Sequence, residues 1–197
     1  FLSRETLAVV GLDGDGAALA RMEKFLLQRF DAQLAFEGVP RGLRQAVLAV
    51  DRLRILRARR KTDALMASIA GASDPATIFV PFTRIANILK QARAAGYRGT
   101  GFDSARAVEE EEKSLAAVYR DVAGGMDRAL SAGDHAAFLS MLFGLKGPVD
   151  RFFDKVLVMA PEPELQNNRL GLLSLFNDLF LKFADFSLIR EEDMRNV

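Results

Sequence analysis

GPVDRFFDKVLVMAPEPELQNNRLGLLSLFNDLFLKFA, residues 147–184, reads as a helix, a stiff connector and a second helix. Gly147 and Pro148 stop one helix and open the next, because a proline's missing N–H costs nothing in a first turn. Val149, Phe152, Phe153 and Val156 fall on one face of that next helix, and Met159 extends it. Pro161 and Pro163 stiffen the connector. The second helix runs from about Glu164 to Ala184, with Leu173, Phe176, Phe180 and Phe183 as its apolar seam. At ~100° of rotation per residue, Arg169 lies among these apolar positions. A lone buried charge is costly, so such an arginine calls for an acid. Asp150, Asp154 and Asp185 are the candidates. A short connector favours an antiparallel helix pair, so the expectation is a buried brace in which Arg169 holds Asp150 or Asp154. The competing reading makes Arg169 a phosphate contact.

Outward from this pair, nearly every segment carries a helical period. Leu19, Met22, Leu26, Phe30 and Leu34 form a stripe at steps of three and four, and Gly11 to Gly16 is the flexible turn before it. Gly38 and Pro40 separate that helix from one spanning Arg41 to Lys61, with Leu43, Val47 and Val50 inward. Thr62 to Ala70 reads as a short helix ended by Gly71. Asp74 and Pro75 have the chemistry of a helix start, and Pro81 should kink that helix or divide it in two. Gly96, Gly99 and Gly101 mark a loop. Asp103 can cap a long helix through Leu115, Val118 and Val122, weakened by Gly124 and Gly125. His135 to Leu145 is a helix with Phe138, Leu142 and Leu145 inward. No strand is evident. The fold class expected is all-α, an irregular multi-helix bundle: residues 1–35 a helical lead-in, 36–190 the main domain and 191–197 a polar tail.

The chain's 197 residues are half hydrophobic, with 15 Phe and no Trp, enough for a core without staples. Zero Cys excludes disulfides and thiolate metal sites. A single histidine, His135, leaves no nucleophile–histidine pairing or histidine-based zinc site within reach, and reads as exposed or capping. The Gly11–Gly16 turn lacks the preceding strand of a dinucleotide loop and the distal Glu of a calcium loop. Glu109 to Glu112 reads as a solvated acidic face. No catalytic residue and no metal site is expected, so the sequence points to a binding module. It carries no signal peptide or membrane-length apolar run, which fits a cytoplasmic protein, and its opening at Phe1 suggests a piece of something longer.

A net charge of +1 gives no overall basic excess, so nucleic-acid affinity would need local asymmetry. Two places offer it. After Pro81, Phe82, Ile85 and Leu89 cluster on one helix face, and Arg84, Asn87 and Gln91 within about 60° on the other, flanked by Lys90. Such cations and amides bind phosphates and the edges of unstacked bases. Between Arg41 and Lys61 there are eight basic residues against one acid, Asp51. On a continuous helix, Arg41, Arg44, Arg52 and Arg59 fall within about 80° of each other and would form an exposed stripe along an RNA backbone. The bland reading of both places is a solvated helix face.

The motifs also carry a resemblance. Arg84-Ile85-Ala86-Asn87-Ile88-Leu89-Lys90 resembles the R-(V/I)-x-N-I-L helix of the β subunit of two-subunit glycyl-tRNA synthetases. Val149 to Met159 is similar to that family's V-D-x-F-F-D-x-V-x-V-M segment, Asn168-Arg169-Leu170-Gly171-Leu172-Leu173 to its N-R-L-x-L-L, and Phe180 to Leu188 to its ending. Phe36-Glu37-Gly38 through Ala49 resembles the approach to the same domain. The resemblance implies a C-terminal helical domain of the anticodon-binding class named after a D-A-L-R motif. Asp63-Ala64-Leu65-Met66 has similar letters in the wrong place. By the same resemblance the partners are glycine tRNA, with the two cytosines shared by glycine anticodons as targets, and an α subunit in an α2β2 assembly. There the α subunit makes glycyl-adenylate with ATP and magnesium, and this chain needs no cofactor and no catalytic residue of its own. The alternative is a helical scaffold at a subunit interface that touches no RNA.

Overall fold

The computed structural model describes residues 16–52, 54–72, 74–75, 77–99 and 101–194; Gly11 to Asp15, read as a turn, lie outside them. The described residues form helices joined by turns, with no strand. They are α1 (Gly16–Phe36), α2 (Arg41–Val50), α3 (Ile55–Ala70), α4 (Val80–Ala94), α5 (Glu110–Ala132), α6 (His135–Gly144), α7 (Lys146–Lys155), α8 (Pro163–Leu181) and the single turn α9 (Glu191–Met194). Short 3-10 turns occupy Ser104–Arg106 and Phe186–Leu188.

α8 is the axis. Asn168 to Leu173 are six consecutive buried residues, so the helix is covered on its whole circumference. α4 and α5 pack against it. α5 and α6 form a hairpin through Gly133, whose φ of +73° suits a glycine C-cap, and Asp134, whose carboxylate accepts from the Ala137 N–H at 2.9 Å. One continuous core runs from Phe30 to Met194. Its centre is a phenylalanine cluster: Phe82 meets Phe180 edge-on at 5.2 Å between centroids, and Phe138 stacks on Phe183 at 4.9 Å. Each such pair adds roughly 0.5–1.5 kcal/mol beyond its buried area.

Several elements differ from their sequence reading. The Arg41–Lys61 helix is two helices: Val50 ends α2, α3 begins at Ile55 and runs on through Ala70. Asp74 and Pro75 start no helix; Asp74 instead accepts the Thr77 hydroxyl at 2.7 Å in a turn. Pro81 neither kinks nor divides α4 but sits in its first turn, where no N–H is needed. Asp103 caps only the 3-10 turn, and α5 starts later, at Glu110. α8 ends at Leu181, although Phe183 beyond it is still buried. Of the α1 stripe, Phe30 and Leu34 are buried, whereas Met22 and Leu26 are exposed.

The largest revision concerns α7. It packs on α4, α5 and α6 rather than along α8, so no antiparallel α7–α8 pair forms. Arg169 is buried, at 5% exposure, but its partner is Glu112 in the first turn of α5. It also donates to the Leu157 carbonyl at 2.8 Å. Asp150 pairs instead with Lys146 at 2.6 Å, one turn away on its own helix, and Asp154 is exposed. The acidic run is therefore not uniformly solvated. Glu112, 1% exposed, holds Arg169 and accepts from the Val108 N–H at 2.9 Å, closing the start of α5.

Candidate nucleic-acid interface

Fifteen residues of α4, VPFTRIANILKQARA, contain three cations and no acid. Phe82, Ile85 and Leu89 are fully buried, which fixes the helix rotation. The opposite face then presents Arg84, Asn87, Lys90 and Gln91, all exposed. Arg84, Asn87 and Gln91 line one open groove of about 830 Å3, whose far wall is Ser187, Ile189, Arg190 and Met194. The amides of Asn87 and Gln91 have no protein partner among the described residues, so their donors and acceptors are available to a ligand. Arg84 lies over the Phe153 ring, 4.2 Å from guanidinium carbon to centroid, and has no carboxylate partner among the described residues. That stack holds a flexible cation in one place without neutralising it.

The basic run presents a different picture. Arg44 is mostly covered; it pairs with Asp31 at 2.8 Å and donates to the Val39 carbonyl at 2.6 Å. Arg59 pairs with Glu37 at 2.6 Å and Asp63 at 2.9 Å, and these carboxylates raise its pKa. Lys61 is fully buried against Asp51, and donates to the carbonyls of Lys182 and Phe183 at 2.8 Å each. Arg57 joins the same Asp51 at 3.3 Å. Arg41 and Arg52 remain exposed. The expected exposed stripe of Arg41, Arg44, Arg52 and Arg59 is thus not present. The α2–α3 break removes the common rotation, and acids take up two of the four charges.

Lys61 and His135 are among the buried polar groups that the sequence reading missed, as are Asp51, Thr62, Glu112, Asn168 and Asn177. A signal existed for the lysine. Ala58, Lys61, Thr62, Leu65 and Ile69 share the inward face of α3, and Asp51 is the one acid of the run. Burial lowers the Lys61 pKa, while the hydrogen bond and charge of Asp51 oppose that. Lys61 supplies donors to the two carbonyls just past the end of α8, those of its C-cap Lys182 and of Phe183. His135, expected exposed or capping, is buried with its ring edge on Phe183 at 5.9 Å. Burial lowers its pKa, helped by the charges of Lys61, Arg57 and Arg60.

Comparison with known proteins places this geometry in a class. Residues 80–184, from the start of α4 to just past α8, match the family described as DALR anticodon binding domain. The chain belongs to that family. Asp63 to Met66 lie outside the matched region.

Three relatives are closely similar, each a glycine–tRNA ligase beta subunit. That of Rhodospirillum centenum is 37% identical over 171 residues, 84% of this chain and 24% of the relative. That of Solidesulfovibrio magneticus is 36% identical over 174 residues, 87% and 25%. That of Thiobacillus denitrificans is 34% identical over 172 residues, 87% and 24%. The chain thus spans about a quarter of the length of these curated relatives. No helix among the described residues is long and apolar enough to cross a membrane.

Proposed function

We propose that this chain is the anticodon-reading module of a glycyl-tRNA synthetase β subunit, and that the outer face of α4 meets the RNA. The observation that carries the reading is the set Arg84, Asn87, Lys90 and Gln91. It is exposed and free of acids, with Arg84, Asn87 and Gln91 lining a groove, on the helix that opens the matched family region. Anticodon bases are unpaired, so amides and guanidinium groups can reach their edges. Arg41 and Arg52 are the exposed members of the expected stripe, open to phosphates. On this reading the ligand is glycine tRNA and the assembly is α2β2. Activation of glycine with ATP and magnesium belongs to the cytoplasmic enzyme's α subunit. This chain contributes no catalytic residue and holds the tRNA so that its acceptor end is presented correctly.

The test is filter binding of the full chain to glycine tRNA and to tRNAs altered at each anticodon position. The reading predicts weaker binding for at least one anticodon variant. Equal affinity for all of them would favour a scaffold that touches no anticodon.

A further inference from the structure

Arg84 and Ile88 form a ridge with a groove on each side. On one side is the groove that the amides of Asn87 and Gln91 line. The second, of about 420 Å3, lies between α4 and the segment that leaves α7, and is lined by Phe153, Asp154, Lys155, Leu157 and Met159. Three features of this second groove leave surface open to a ligand. Leu157 and Met159 are 65% and 49% exposed, although the flanking Val156, Val158 and Ala160 are buried. Asp154 is exposed and has no partner among the described residues. The Arg84 guanidinium has one face on Phe153 and is itself exposed.

We propose that this groove takes a single unpaired nucleobase bearing an exocyclic amino group, and that Asp154 selects it by accepting a hydrogen bond from that amine. The inference rests on the RNA-binding reading above and assigns a base-selecting residue within it. A base stacks readily on a guanidinium plane already fixed by an aromatic ring. The exposed Leu157 and Met159 would cover its remaining apolar surface. A carboxylate accepts from an exocyclic amine and repels the carbonyl that uracil has in its place. A carboxylate is otherwise unfavourable beside RNA phosphates, and here Arg84 and Lys155 on the same groove offset it. Acceptance of an amine therefore gives Asp154 a use that phosphate binding does not.

The experiment measures binding of the full chain to the anticodon stem-loop of glycine tRNA, with loop bases replaced one at a time by analogues that lack only the amino group. These are 2-pyrimidinone for cytosine, purine for adenine and hypoxanthine for guanine. The wild-type chain should lose about tenfold in affinity at one loop position, the size of one good base-edge contact. Asp154→Ala should bind more weakly and show no loss at that position. Asp154 has no structural partner among the described residues, so circular dichroism should show the variant folded. A loss that persists in Asp154→Ala, or a wild-type chain insensitive at every position while still requiring the loop, would overturn the groove assignment and leave anticodon binding standing. Binding that ignores the loop altogether would overturn both.

Discussion

Arg169 and Glu112 stand 57 residues apart and meet with almost no exposed surface on either side chain. Removing one member leaves the other charged and dry, so Arg169→Ala should cost about 3–5 kcal/mol. The double variant Arg169→Met with Glu112→Gln should cost less than the two single changes added together. Urea unfolding of wild type, the two single variants and the double checks this, and strict additivity would show that the pair is not coupled. His135 gives a second test at this scale. Its folded pKa is lowered, so at pH values between the folded and the ordinary pKa the unfolded chain binds more protons. The stability it contributes is whole above the ordinary histidine value and is lost as pH falls through the folded one. His135→Phe should therefore weaken the fall in stability between about pH 7 and pH 5, measured as unfolding midpoints against wild type. An unchanged fall would mean that other groups cause it.

At the scale of elements, α8 is crossed by the loop ahead of α5. The Asn168 side chain accepts from the Asp103 N–H at 2.8 Å and donates to the Asp103 carbonyl at 3.1 Å, a two-point clamp on that loop. Beside it, a methyl group on Gly171 would run into the backbone carbonyl of Gly101. Gly171→Ala should thus lower stability by about 1–3 kcal/mol through overpacking. For a chain of this size that is a fall in Tm of about 2–4 °C per kcal/mol, read by thermal melting; an unchanged Tm would mean that the loop shifts freely. The inward faces of α4, α6 and α7 were legible because each buries a stripe with period 3.6: Phe82, Ile85 and Leu89 needed no partner to be named. The charge partners were not legible. Arg169 had to find an acid, but Asp150 and Glu112 differ only in where α7 and α5 pack, which no local period encodes. The same holds for the α2–α3 break. Asp51 reads as one more polar residue until Lys61 is seen buried against it.

For the whole molecule, a net charge of +1 conceals an uneven distribution of charge. Four of the eight cations in the densest basic run, Arg44, Arg57, Arg59 and Lys61, are held in ion pairs, while α4, with only three cations, keeps all of them free of carboxylates among the described residues. Of the two places expected to meet RNA, the α4 face keeps its cations free and the stripe in the run does not form, and our assignment of the RNA contact to α4 is the central proposal. It is tested most directly by the salt dependence of glycine tRNA binding for two double variants. Each lost phosphate contact lowers the slope of log affinity against log salt by about one. Arg84→Ala with Lys90→Ala should weaken binding and lower the slope by about one to two. Arg44→Ala with Arg59→Ala should reduce stability and leave the slope of the folded protein as in wild type. The opposite outcome, an unchanged slope for the α4 pair and a reduced one for the Arg44 and Arg59 pair, would contradict the account.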